Sequence, residues 1–289
     1  MNNFKVITKE DKLYPKKLLK IKNSPSKLYV LGDVSLLNKK SIAIIGSRDC
    51  TMYGYEQAKR FAKEIARENI CVVSGMAIGI DSAAHIGAKN EVGKTVAVLG
   101  SGFNNIFPEE NKELFYEILN QGGCIITEYE PDVEPEGDNF PRRNRIVSGL
   151  SDGVLVVEAR YRSGTSITVK IARKQGKKIF CIPSNLGATT GVGTGRFIQE
   201  GAKLVLSPED ILIEIGIPKE QEDYLEEPEI VLKAEYKEIY SVLSKMPINV
   251  NDICRKTNKN IVEVNTTLTM LELEGLINQV GVNEFIKAR

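Results

Sequence analysis

The chain has 289 residues, 42% hydrophobic and 27% charged, a globular balance with material for a sizeable core. At about 150 residues per domain that length suggests two units. Lysine plus arginine number 39 against 38 acids, a net charge of +1 that announces neither a nucleic-acid nor a membrane partner in the total. No apolar run approaches the roughly 20 residues that span a bilayer, and the start, MNNFKVITKEDKLYPKK, lacks the apolar stretch of an export signal. The expectation is a cytoplasmic protein with no membrane partner.

Residues 1–40 carry ten lysines against Glu10, Asp11 and Asp33. Too short for an ordinary core, they are expected to pack on the next domain as a lead-in. From Ser41 onward, β-branched apolar runs recur: SIAIIGS, then ICVVSG from Ile70, TVAVLGSG from Thr95 and CIITEY from Cys124. GVLVVEA from Gly153, KIFCIPS from Lys178 and AKLVLSP from Ala202 continue the series. Their spacing of about 25–30 residues is that of one strand–helix unit. Helical patterns such as YEQAKRFAKEIAREN and NKELFYEILNQGG fill the intervals. Continuous apolar strands alternating with helices predict an α/β fold over residues 41–215, a Rossmann-like, doubly wound, mostly parallel sheet. Residues 216–229 (GIPKEQEDYLEEPE) read as an acidic linker. Residues 230–289 read as three helices and a β-hairpin, a small C-terminal winged-helix domain.

Five cysteines, scattered and never spaced as CxxC, argue for reduced thiols rather than a disulfide framework or structural zinc. His85 is the only histidine, which removes histidine-rich metal sites and weakens any serine–histidine triad. Gly93-Lys94-Thr95 imitates the end of a P-loop but precedes a strand instead of following one, and Gly191 to Gly195 misses the dinucleotide spacing. No metal or cofactor is expected.

Ligands of open parallel sheets bind outside the carboxyl ends of the strands. Here those ends are rich in small residues: Gly46-Ser47-Arg48, Ser74-Gly75, Gly100-Ser101-Gly102 and Ser163-Gly164-Thr165. Glycine admits a phosphate close to the backbone, and a following helix N-terminus offers free amides. The strongest local signal is Phe140-Pro141-Arg142-Arg143-Asn144-Arg145, which follows six acids between Glu128 and Asp138. From Pro141 to Arg196, eleven basic residues stand against Asp152 and Glu158, a local excess of nine. Cations beside Phe140 and Tyr161 suit unpaired nucleic acid: Arg48 with Arg143 or Arg145 would hold phosphates and Phe140 would stack a base.

The segments IAIIGSR, SGMAIGIDSAAHIGA, TVAVLGSGFNNIFPEEN, FPRRNRIVSGLSDGVLVVEA and SGTSITVKIARKQGK follow in order, preceded by YPKKLLKIKNSPSKLYVLGD. Together they resemble the DNA-processing protein A (DprA/Smf) family across residues 14–215, and the C-terminal segment resembles that family's winged helix more loosely. The resemblance implies a non-enzymatic, homodimeric, single-stranded DNA-binding recombination mediator. It would protect incoming DNA and load RecA during natural transformation. It also implies site residues: Gly46, Ser47 and Arg48 as the family's GSR loop, and Phe140, Arg142, Arg143, Asn144 and Arg145 as its FPRRNR stretch. Gly75, Gly79, Gly100 and Gly102, with Ser163, Gly164 and Thr165, match further pocket-edge positions. Ser166, Gly195 and the Ser184-Asn185 pair depart from the usual family residues.

Two other readings compete. A nucleotide-processing enzyme of the LOG type needs a carboxylate where this chain has Thr168, which cannot serve as the general base. A ligand-sensing transcription regulator needs cations on its groove-reading helix, yet IVEVNTTLTMLELEGL carries Glu263, Glu272 and Glu274 and no lysine or arginine.

Overall fold

The computed structural model of the protein describes residues 4–185, 187–217, 232–244 and 246–288. Two units partition the chain, Met1–Glu220 and Gln221–Arg289. Apart from Gly216 and Ile217, the expected acidic linker lies outside the described residues.

In the first unit the lead-in supplies β1 (Lys5–Thr8), a helical turn α1 (Lys16–Leu19) and β2 (Lys27–Gly32). Strands and helices then alternate: β3 (Ser41–Ile45), α2 (Met52–Arg67), β4 (Cys71–Ser74), α3 (Ile80–Ala88), β5 (Thr95–Val98), α4 (Lys112–Asn120) and β6 (Cys124–Thr127). The series ends with α5 (Asn139–Leu150), β7 (Gly153–Val156), α6 (Gly164–Lys174), β8 (Lys178–Cys181), α7 (Val192–Gln199), β9 (Lys203–Leu204) and α8 (Pro208–Glu214). One nine-stranded sheet results, ordered β1-β2-β6-β5-β4-β3-β7-β8-β9. From β6 to β9 all neighbours are parallel, and β1 and β2 add an antiparallel edge.

Strands β3 to β7 are buried at every position, as a sheet covered on both faces requires. Alternation along β3 sends Ala43 and Ile45 into a core shared with Ile146 and Val147 of α5. Ile42 and Ile44 enter a second core with Phe61 and Ile65 of α2. The lead-in is woven into the fold rather than laid on it. Tyr29 pairs with Thr127 across β2 and β6, Leu18 is fully buried, and Lys17 Nζ sits 2.6 Å from Asp152. Its lysine count hid the apolar run KLYVLG that makes β2.

Helix α2 repeats apolar residues at Ala58, Phe61, Ala62 and Ile65, one stripe of a 3.6-residue period, and starts at Thr51, whose hydroxyl accepts from the Gly54 amide at 3.1 Å. It packs tightly on α3 at Gly87, where any Cβ would overlap the Lys59 carbonyl oxygen. His85 on α3 is fully buried. Because the Thr95 hydroxyl donates to the Val72 carbonyl at 2.8 Å, the 2.7 Å contact between Thr95 and the imidazole must be donated by Nδ1–H. Nε2 is left without a partner, and burial pushes the pKa down to about 3.

The second unit contains α9 (Ala234–Val242), β10 (Ile248–Asn249), α10 (Val250–Thr257), α11 (Ile261–Leu273), β11 (Ile277–Gly281) and β12 (Glu284–Lys287). The strands form an antiparallel sheet ordered β10-β12-β11. Ile239, Ile253, Val264, Leu268 and Leu271 form its core with Ile277 and Phe285. Three helices and a hairpin wing make a winged helix.

Gly87→Ala should lower stability by about 1–3 kcal/mol, because a methyl group overpacks a helix contact. Helix propensity alone predicts a gain of about 1 kcal/mol, so a raised urea midpoint would contradict the packing. The only imidazole should stay neutral to pH 5 in NMR spectra. Its folded pKa lies below the ordinary 6.5, so His85 makes stability fall from about pH 6.5 downward, by up to about 1.4 kcal/mol per unit. A titration midpoint near 6.5 would contradict its burial.

Candidate nucleic-acid interface at the strand-order reversal

The chain winds outward from β3 through β4 and β5 to β6, then returns to lay β7 against the other side of β3. Loops leaving β3 and β7 therefore diverge and leave a crevice at the carboxyl edge. A cleft of about 380 Å³ lies there. Gly46, Ser47 and Arg48 line it after β3, and Gly75 and Ala77 after β4. Phe140, Arg143 and Asn144 of α5 form one wall, and Ser163, Gly164 and Thr165 open α6 on another.

The loop after β3 is pinned by Glu158, a buried residue just past β7. Its carbonyl accepts the Ser47 amide at 2.8 Å, and its carboxylate accepts the Thr51 amide at 2.9 Å and the Thr51 hydroxyl at 2.6 Å. Gly46 passes so close to Ile80 and the Glu158 carbonyl that no side chain fits. With its backbone held, the loop projects Arg48 into solvent at the cleft mouth, its guanidinium carbon 5.7 Å from the Phe140 ring centre.

The FPRRNR stretch lies on α5, and helical rotation sends its arginines in different directions. Arg142 is exposed. Arg143 points inward, 4% exposed, and donates through Nη1 to the carbonyls of Gly75 and Val98. Burial lowers its pKa to about 10, opposed by the nearby Asp81 charge, so it stays cationic at neutral pH. Burial raises the pKa of Asp81, against the pull of Arg143 and of the Gly75 and Ala77 amides, which its Oδ2 accepts at 3.1 and 3.4 Å. Arg145 faces away, bidentate to Glu128 with both bonds at 2.7 Å, and donates to the Asn23 carbonyl at 2.9 Å.

These placements correct the expected phosphate grips. Arg143 touches the Phe140 ring at 5.9 Å but spends its donors on backbone carbonyls, and Arg145 is consumed by Glu128. The local basic excess is partly neutralised as well, four of the eleven cations being ion-paired with carboxylates. Arg173 pairs with Glu200 at 2.5 Å, Lys178 with Glu214 at 2.6 Å and Arg160 with Asp49, while Lys177 donates to the Gly149 and Ser151 carbonyls. Among the described residues, Arg48 and Arg142 are exposed guanidiniums beside α5 with no ion pair. Tyr161 is exposed, but it does not line the cleft.

The glycines divide likewise. Gly75 sits between Arg143 and Asp81, where a Cβ would lie 2.8 Å from each, and Gly100 lies beneath the Phe140 ring, 2.8 Å from where its Cβ would stand. Gly79, at φ +80°, lets the start of α3 approach the Ser47 and Arg48 carbonyls from outside the cleft. Gly102 closes on the Glu130 and Pro131 carbonyls and does not line it. Sequence reasoning passed over Glu158, Asp81 and Phe107. The exposed Phe107 ring lies 5.5 Å from Phe140 at 45°, and with Ile78 and Pro108 it lines a hollow of about 190 Å³ on the other side of Phe140. No spacing pattern marks these three.

A family model described as DNA recombination-mediator protein A matches residues 5–216, and a model of the DprA winged helix domain matches residues 225–281. The chain belongs to the DNA recombination-mediator protein A family. Protein Smf of Escherichia coli is 36% identical over 284 residues, covering 96% of this chain and 76% of that protein. The DprA structure from Streptococcus pneumoniae superposes with a TM-score of 0.70 at 37% identity, covering 74% of this chain and 75% of that one. DprA from Helicobacter pylori, described as a structure revealing a unique single-stranded DNA-binding mode, superposes at 0.66 with 32% identity, covering 74% and 96% of the two chains. The membership implies a DNA-processing, recombination-mediator role. Among the described residues no helix is long and apolar enough to cross a membrane.

Glu158→Gln should destabilise the DprA-type core by about 1–3 kcal/mol, since one amide oxygen cannot accept both Thr51 donors without leaving a buried polar group unpaired. Urea unfolding checks this; an unchanged midpoint would show that Glu158 does not hold the loop.

Proposed function

We propose that this chain binds single-stranded DNA along the carboxyl edge of its sheet, at the reversal cleft, and acts there as a binder rather than an enzyme. The observation that carries the reading is the exposed Arg48 guanidinium set against the half-buried Phe140 ring at the mouth of a cleft walled by the N-terminus of α6. A cation, an aromatic face and backbone amides meet the three needs of an unpaired strand: phosphate neutralisation, base stacking and hydrogen bonding. The Helicobacter pylori relative described as a single-stranded DNA binder supports the choice of ligand.

The cleft offers little for hydrolysis. Thr168 is buried in its wall, and the Asp81 carboxylate is committed to two backbone amides and faces Arg143. Protection of incoming DNA, loading of RecA, homodimerisation and a cytoplasmic location complete the proposal, and these rest on family membership. Helix α11 carries acids and no lysine or arginine, which favours a partner-binding winged helix over an operator reader.

Wild-type protein should prefer single-stranded to duplex oligonucleotide at every salt concentration. Arg48→Ala should reduce the slope of log affinity against log salt by about 0.7, the release expected for one phosphate contact. Phe140→Ala should weaken binding by about 1–3 kcal/mol with the slope retained. Arg145→Ala should leave the slope alone, because Glu128 already holds that charge. An unchanged slope in Arg48→Ala would refute this location of the site.

A further inference from the structure

We propose that the α6 side of the cleft is a seat for a terminal phosphate, a phosphate monoester belonging either to a 5′ strand end or to a free mononucleotide. The seat goes beyond strand binding at the Arg48–Phe140 mouth and can be read separately from it. Helix α6 runs for 11 residues with no acid in its first turn. The amides of Gly164 and Thr165 have no acceptor within the helix, and the helix dipole makes that end favourable to an anion.

Side chains supply the independent sign of a ligand. Thr165 is only 7% exposed and lines the cleft, yet its hydroxyl has no hydrogen-bond partner among the described residues. Ser163 Oγ is buried without a full hydrogen bond, in a capping-box arrangement where it faces the Ser166 amide and the Ser166 hydroxyl accepts from the Ser163 amide at 3.2 Å. Space in front of Gly164 is open, since a Cβ there would meet nothing within 4 Å. On the α5 side, the Asn144 Oδ1 is occupied by Arg143 Nε at 3.2 Å, which leaves its amide nitrogen uncommitted in the same cleft. Two carboxylates line the cleft: Asp81 is held by backbone amides and faces the Arg143 charge, and Asp49 is paired with Arg160.

Two amides, the Thr165 hydroxyl and the Asn144 amide all donate and none accepts, apart from the hydroxyl's own lone pairs. A phosphodiester presents two non-bridging oxygens with one charge. A monoester presents three, with a charge between −1.5 and −2 near neutral pH, and answers this donor set more fully.

The test compares short oligothymidylates that differ only in a 5′-phosphate or 5′-hydroxyl, together with thymidine 5′-monophosphate and thymidine by calorimetry. Wild type should bind the phosphorylated strand on the order of tenfold more tightly, the worth of one or two charge-assisted hydrogen bonds. Thr165→Val removes the hydroxyl with little change of shape. Gly164→Pro removes one amide at the first helical position, where proline is favoured, and Ser163 already has the extended backbone (φ −98°, ψ 174°) that a following proline requires. In both variants the ratio of affinities for the two strands should fall toward one. If the monophosphate binds and thymidine does not, the seat accepts free nucleotides; if the ratio holds without monophosphate binding, it reads strand ends. Equal affinity of wild type for both strands together with no monophosphate binding overturns the proposal. So does a ratio retained in both variants. A protein that binds the monophosphate but no strand would keep the seat and refute the strand-binding reading.

Discussion

A buried guanidinium holds the working edge of this sheet in shape. Arg143 donates to the carbonyls that end β4 and β5, and Asp81 takes the amides of the loop after β4. Gly75 is compressed between the two side chains. Taking a guanidinium out of water costs several kcal/mol unless its donors are met; here two backbone carbonyls and the Asn144 Oδ1 accept from it, and the Asp81 charge lies nearby. Loss of either charge would strand the other in a low-dielectric setting, so the pair fixes the floor on which Phe140 and Arg48 stand.

Charge at the cleft is consequently sparse and directed. A near-neutral chain conceals a basic segment, and most of that segment is spent internally on Glu128, Glu200, Glu214, Asp49 and backbone carbonyls. What remains at the mouth is Arg48, with Arg142 exposed on α5. Such an edge suits binding in which stacking and backbone amides share the work with a few cations. Screening would then weaken affinity moderately, without the steep salt dependence of a broad basic surface.

Much of the architecture was legible because parallel strands buried on both faces write themselves as continuous apolar runs. SIAIIGS, ICVVSG, TVAVLGSG, CIITEY, GVLVVEA and KIFCIPS all became strands of the sheet. Strand β2 was obscured by ten lysines around it, since composition over forty residues averages away a six-residue strand. At the site, the glycine loops and Phe140 could be located from their place after strands. The direction of each arginine could not, because it depends on how α5 is rotated against the sheet, and adjacent residues differ by about 100° on a helix. Glu158 and Asp81 escaped for a related reason: each acts through backbone amides brought close by the topology alone.

The central claim is that unpaired DNA lies across Arg48 and Phe140 at the strand-order reversal. Photocrosslinking of an iodouracil-substituted single strand, followed by mapping of the adducts by mass spectrometry, tests it most directly. The account predicts adducts on Phe140 and on the peptide that carries Gly46 to Asp49. Adducts confined to the winged helix at residues 232–288, with none at the reversal cleft, would contradict it.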